Sequence, residues 1–320
     1  MKVARALWIT GAQEASSRDT PYEVVPGDLE IETLFTAISR GTERLVYRGQ
    51  VPLSEHASMS APFQEGAFSF PVKYGYAAVG EIQNGARRGD VVFSLFPHQT
   101  RFAVPPHMAL AVPTDVPAAR AVLAANMETA VNIVWDAEIT VGDRIVVIGC
   151  GVVGALVGYL AGKIPGTEVT LVDIDPDRAT LAQTLGCAFA TPETSLRDVD
   201  VVIHASATAA GLSLAISLAG TEAAVVEASW YGAQHTEVPL GGRFHQRRLR
   251  LISSQVGRVP ARQAPRWDFG RRLAKALTLL NDAALDTLIS GETAFGDLPD
   301  AYHGILHDPA TLCHRIRYDR

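Results

Sequence analysis

The chain has 320 residues, 48% hydrophobic and 19% charged, enough to bury the cores of about two domains, which excludes disorder as its main state. A formal net charge of -6, from 28 basic and 34 acidic residues, excludes a global attraction to nucleic acid or anionic membrane. Cys150, Cys187 and Cys313 are too scattered for a disulfide framework or a C-x-x-C metal site, which predicts a reducing, cytoplasmic setting. No apolar run approaches the roughly 20 residues of a membrane span, and the N-terminus enters strand-like sequence without a signal-peptide core.

In chain order, short apolar runs at residues 3–9, 29–35, 77–82, 90–95, 101–104 and 109–112 are separated by turn residues and predict a β-rich domain. Residues 50–71 break that rhythm with Ser, Pro and Gly among Met59, Phe63, Phe68 and Phe70, which reads either as a lid or as a packed surface loop. From residue 118 an alanine-rich helical segment runs to about 137. Largely apolar strands follow at 145–148, 169–172, 199–203, 223–227 and 249–252, with helical segments at 152–163, 176–185 and 209–219 between them. Apolar strands alternating with helices predict a doubly wound parallel sheet, so the fold class is α/β. A helix at 269–280 and a strand at 314–318 close the chain.

Gly149-Cys150-Gly151-Val152-Val153-Gly154 directly follows a strand and opens a helix, the context in which G-x-G-x-x-G binds a dinucleotide pyrophosphate. Gly149 allows the tight turn, Gly151 the approach of backbone to phosphate, and Gly154 close packing of helix on strand, while the helix N-terminus offers N–H groups to the anion. Asp173 ends the next strand, where a carboxylate accepts from the adenosine ribose hydroxyls and repels a 2′-phosphate, so the expected cofactor is NAD(H). Ile174 adjoins it. Arg178 either reaches the ribose or pairs with Asp175 or Asp177. Cys150 reads as a small filler.

A β-rich domain followed by this nucleotide unit resembles the medium-chain dehydrogenase/reductase superfamily, the alcohol dehydrogenase-like group. That resemblance implies a GroES-like catalytic domain over residues 1–117, a Rossmann domain over 118–258 and a C-terminal return to the catalytic domain over 259–320. It also implies a homodimer through the Rossmann sheet edge and a small alcohol or carbonyl substrate. Arg40 falls where the family contacts the pyrophosphate; Thr129, Ala205, Ser229 and Trp230 complete the expected cofactor contacts, the backbone after Ser229 holding the nicotinamide carboxamide.

The family's zinc ligands are replaced together. Ser39 stands at the first cysteine and Arg44 at the following histidine, Gly75-Tyr76-Ala77 replaces Gly-His-Glu, and the third ligand position falls near Ala125. The structural zinc lobe with its four cysteines is missing too. The resemblance therefore implies an enzyme without a metal. Residues 39–49 and 75–80 look most like the zinc-lacking branch that includes bacteriochlorophyllide hydroxyethyl dehydrogenase.

Without zinc, hydrogen-bonding side chains must polarise the substrate oxygen. Ser39, Thr42, Glu43, Tyr76 and Glu128 occupy or flank the vacated positions. Tyr76 is a donor to a developing alkoxide or else a satisfied core residue; Glu43 and Glu128 relay protons or pair with Arg40 or Arg44. His204 ends a Rossmann strand at the ligand-binding edge, and His98 is a second histidine candidate. His303 and His307 read as surface residues. The arginines between residues 243 and 266 form either an acidic-substrate patch or a solvated surface. Three functions fit: NAD(H)-dependent alcohol/carbonyl hydride transfer, NAD(P)H-dependent reduction of an enoyl or quinone C=C bond, or noncatalytic NAD sensing.

Overall fold

The computed structural model describes residues 1–319, which form two compact units: Met1–Ala125 together with the chain from Leu273 onward, and Asn126–Arg272.

In the first unit, Lys2–Gly11 and Glu14–Tyr22 form an antiparallel hairpin, extended by Val72–Lys73 and Glu65–Gly66 into a four-stranded sheet. A larger sheet runs Ile289–Ala294, Cys313–Arg317, Leu29–Ser39, Ala78–Ile82, Val91–Ser94 and Leu110–Ala111, with Arg101–Val104 also on Leu29–Ser39. Only the pairing of its first two strands is parallel; the rest are antiparallel. Ile31, Ile82, Val92, Phe102 and Val104 fill its core with almost no exposure. That burial follows from strands whose β-branched and aromatic residues face one side. Residues 50–71 are held down by their aromatic rings: Phe68 is buried against His56 and Tyr74, and Phe63 packs on Phe96.

The second unit is a six-stranded sheet in the order Ala188–Ala190, Glu168–Val172, Arg144–Ile148, Val199–His204, Ala219–Glu227, Arg250–Ser253. Every pairing is parallel. In chain order this is 3-2-1-4-5-6, the Rossmann arrangement, whose strand order reverses beside Arg144–Ile148. The expected α/β class, a β-rich domain with a doubly wound one, is the fold observed. The helix Val152–Ala161 is apolar around its circumference, as a helix covered by sheet and neighbours must be. The alanine-rich segment forms two helices, Ala118–Ala121 and Ala124–Asp136.

Candidate active site

The loop after Arg144–Ile148 has the geometry its glycines predict. Gly149 sits at φ +102°, a conformation that penalises any side chain. A Cβ on Gly154 would overlap the Gly149 carbonyl oxygen, so only glycine lets the helix start this close to the turn. Gly151 caps Val152–Ala161 and faces open space where a Cβ would stand. The first-turn N–H groups at Val152, Val153 and Gly154 have no intrahelical acceptor, which makes this end fit a phosphate.

Asp173 lies beside that loop. Its Oδ2 accepts the Cys150 N–H at 2.6 Å and its Oδ1 accepts the Asp175 N–H at 3.0 Å, so the carboxylate is fixed by two backbone donors. Each oxygen retains a lone pair for a ribose hydroxyl. Ile174, next in the chain, is 85% exposed, unusual for isoleucine and suited to covering a flat ring. Arg178 pairs with Asp175 at 3.3 Å, the pairing alternative from the sequence. Burial, helped by the Asp173 charge, pushes the Cys150 thiol up to about 12, which fits the filler role.

His204 ends its strand fully buried. Its Nδ1 is 2.7 Å from Glu227 Oε2 and its Nε2 2.7 Å from Ser206 Oγ. The Tyr231 hydroxyl and the Ser229 N–H also donate to Glu227, at 3.1 and 2.8 Å. Burial pulls the Glu227 carboxyl up, but bonds from His204 and Ser229 prevail and hold it below the usual range. Ser229 Oγ further accepts the Ala207 N–H at 3.0 Å, binding together the two loops that follow adjacent strands. Ala205 and Trp230 are half-buried on these loops.

Glu128 and Thr129 lie on the helix Ala124–Asp136. Arg272 donates through Nε to Glu128 Oε1 at 3.0 Å, with both side chains almost wholly buried. Arg272 also donates to Asn132 Oδ1 and to the Val256 carbonyl. Burial raises the Glu128 pKa while the Arg272 charge opposes it. The cation paired with Glu128 is thus Arg272, which the sequence reading did not consider.

In the first unit, Leu29–Ser39 leads into the helix Arg40–Tyr47, and the Ala37 N–H donates to the Ala77 carbonyl at 3.0 Å, bringing Tyr76 beside Ser39. The Ser39 and Thr42 hydroxyls lie near enough to the Tyr76 phenol to favour its charged form. Burial and the Glu43 charge push that phenol up while the two hydroxyls pull it down, leaving it at about 12, a protonated donor at neutral pH. Glu43 is fully buried and acts beneath this cluster: Oε1 accepts the Ser39 N–H at 2.8 Å, and Oε2 accepts from Tyr302 at 2.7 Å and from His98 Nε2 at 3.1 Å. Neither Arg40 nor Arg44 is its partner in these bonds. His98 Nδ1 is 2.7 Å from Thr36 Oγ1, and Gly75, at φ +128°, lies so close over the ring that a Cβ would come within 3.1 Å. Arg40 is half-buried and donates to the Asp308 carbonyl at 3.1 Å.

Ser39, Arg44, Tyr76 and Ala125 do not fit zinc, which takes thiolate, imidazole or carboxylate donors. Among the described residues no group of three or more His, Cys, Asp or Glu side chains is placed to hold a metal ion. His303 and His307 stack with ring centroids 4.1 Å apart, next to Tyr47. Three members of the arginine concentration are in ion pairs: Arg247 with Asp198, Arg248 with Glu222 and Arg262 with Glu138. Sequence reasoning missed Ser206, Glu227, Tyr231, Tyr302 and Arg272. Glu227 ends a strand and Ser206 follows one at the ligand-binding edge, a signal available in the sequence, whereas Tyr302 and Arg272 reach their partners across 259 and 144 residues.

No family model matches the chain. Over 76 residues, 22% of this chain, it is 38% identical to 2-desacetyl-2-hydroxyethyl bacteriochlorophyllide A dehydrogenase of Cereibacter sphaeroides; the match spans 20% of that protein. Its structure is similar over 99% of the chain to L-idonate 5-dehydrogenase from Escherichia coli, with a TM-score of 0.81, 12% identity and 98% of that chain covered. An alcohol dehydrogenase from Escherichia coli complexed with NADH matches with a TM-score of 0.78 and 17% identity, over 99% of this chain and 100% of that one. TarJ of S. aureus, in complex with NADPH, matches with 0.76 and 13% over the whole of both chains. The chain therefore has the alcohol dehydrogenase-like fold of the medium-chain dehydrogenase/reductases. Within that fold, the partial sequence likeness is to a bacteriochlorophyllide dehydrogenase.

Proposed function

We propose that this protein is a zinc-independent oxidoreductase that transfers hydride between NAD(H) and an alcohol/carbonyl pair. The observation that carries the reading is the hydroxyl cluster of Ser39, Thr42 and Tyr76, residues that the family resemblance puts at or beside the metal-ligand positions of zinc enzymes. Gly149, Gly151 and Gly154 would hold the pyrophosphate, and Asp173 and Ile174 the adenosine end. When bound, the nicotinamide supplies or accepts the hydride. Asp173 favours NAD(H), because its charge would oppose a 2′-phosphate.

On the first unit, the Tyr76 O–H would donate to the substrate oxygen as negative charge grows there. Ser39 and Thr42 stabilise the phenolate that results from proton donation, since hydrogen bonds to the charged form lower its energy. Glu43 holds the Ser39 backbone and leaves the transfer itself to the hydroxyls. In the oxidation direction the same groups run in reverse, Tyr76 taking the alcohol proton.

The test is a cofactor-coupled screen of alcohols, ketones and enones with the purified protein and its Tyr76→Phe variant. Turnover of an alcohol or ketone that falls by at least about 10²-fold in Tyr76→Phe supports the reading. Turnover of enones alone, or of nothing, contradicts it. We also propose a homodimer through the edge strand Arg250–Ser253, where Leu251 is 39% exposed; a monomer in sedimentation would refute that.

A further inference from the structure

The second unit holds a hydrogen-bonded chain that the proposed hydride transfer does not use. It starts at the helix Ala209–Leu218, where the Gly211 N–H donates to the capping Thr208 Oγ1 at 3.0 Å. Thr208 Oγ1 is 2.9 Å from Ser206 Oγ, Ser206 Oγ is 2.7 Å from His204 Nε2, and His204 Nδ1 is 2.7 Å from Glu227 Oε2.

The carboxylate decides where the protons lie. Oε2 of Glu227 already faces the Tyr231 donor and demands a second donor from the ring, so Nδ1 carries the imidazole proton. In the neutral ring Nε2 is then a bare lone pair, and the Ser206 hydroxyl donates to it. Thr208 in turn donates to Ser206 Oγ. The same order of groups, a hydroxyl on a histidine on a carboxylate, activates serine nucleophiles on unrelated folds, and here the carboxylate is half-buried.

Two further features suit reaction. Ser206 is only half-buried although His204 is completely enclosed, so the base is shielded while the hydroxyl's residue keeps contact with solvent. A Cβ on Gly211 would overlap Ser206 Oγ and stand 2.6 Å from His204 Nε2, so any larger residue there would drive the pair apart.

We propose that Ser206 is an acyl-accepting nucleophile with His204 as its general base and Glu227 as the carboxylate that orients the ring, its substrates being small activated carboxylic esters. Ser206 Oγ forms a bond to the ester carbonyl carbon while its proton passes to His204 Nε2. Collapse of the tetrahedral adduct breaks the bond to the leaving alcohol or phenol, which takes the proton from Nε2. Water then attacks the acyl-serine by the same route, releasing the acid and restoring the serine. No oxidant or reductant takes part.

The protein is treated with a fluorophosphonate probe, mapped by peptide mass, and assayed with p-nitrophenyl acetate. The proposal expects one adduct per chain, on Ser206, and ester hydrolysis that is lost in Ser206→Ala and falls about 10²- to 10⁴-fold in His204→Gln. Circular dichroism of both variants checks that they fold, and labelling of the unmodified protein is decisive by itself. No adduct on Ser206 in that protein, or hydrolysis unchanged in a folded Ser206→Ala variant, would overturn it.

Discussion

Replacing Glu43 measures how far the hydroxyl cluster depends on one enclosed carboxylate. Its two oxygens accept three hydrogen bonds, from the Ser39 N–H, the Tyr302 hydroxyl and the His98 ring. Glu43→Leu removes every acceptor and leaves three enclosed donors, each costing about 1–3 kcal/mol, so the loss of stability is at least about 3 kcal/mol. Glu43→Gln is milder. Its carbonyl keeps the Ser39 N–H, and its amide can donate to His98 once the ring moves its proton to Nδ1 and gives it to Thr36. Only the Tyr302 bond is then lost, about 1.5–3 kcal/mol for a bond to a charged group. Urea unfolding followed by circular dichroism should rank the wild type above Glu43→Gln and Glu43→Gln above Glu43→Leu. A Glu43→Leu variant within about 0.5 kcal/mol of wild type would refute the reasoning, because three unsatisfied buried donors cannot be that cheap.

Arg272→Met leaves Glu128 buried without its cation and should cost about 3–5 kcal/mol in urea unfolding. Burial already raises the Glu128 pKa against the pull of Arg272, so without Arg272 the folded carboxyl keeps its proton to still higher pH, and the variant's deficit should shrink as pH falls from neutral into the acid range. Burial holds the His314 pKa below its ordinary 6.5, so the unfolded chain takes up the proton first and stability falls as pH drops through 6.5; His314→Gln should flatten that part of a thermal-unfolding profile. Gly154→Ala pushes a methyl group into the Gly149 carbonyl and should weaken NADH binding, measured by calorimetry, by about tenfold or more, as a strain of 1–3 kcal/mol at that loop implies.

The Rossmann unit was legible because its signals are local. Apolar strands, a glycine loop and a carboxylate at the next strand end all lie within residues 145–173, and the structure places them on adjacent parallel strands. The short strand Ala188–Ala190 was not foreseen, since three alanine- and phenylalanine-containing residues carry no period. Glu14–Tyr22 was missed for the opposite reason: as one side of an exposed hairpin its residues are mostly polar, and pairing with Lys2–Gly11 makes it a strand. In the candidate site, Ser39, Thr42 and Tyr76 were grouped by resemblance, and the Ser39 and Thr42 hydroxyls lie near the Tyr76 phenol. What Glu43 and Glu128 bind was not legible, because Tyr302, His98 and Arg272 arrive from distant parts of the chain, and no periodicity encodes a contact across such a separation. Ser206 and Glu227 lie beside and across from His204, and only the parallel register of His204 with Glu227 reveals the pair.

Titration of the protein with NADH and NADPH by calorimetry tests most directly the proposed binding of NAD(H) by the second unit with Asp173 setting the choice. NADH should bind at least about tenfold tighter than NADPH, with the preference lost in Asp173→Ala. Tighter binding of NADPH, or no binding of either nucleotide, would contradict it.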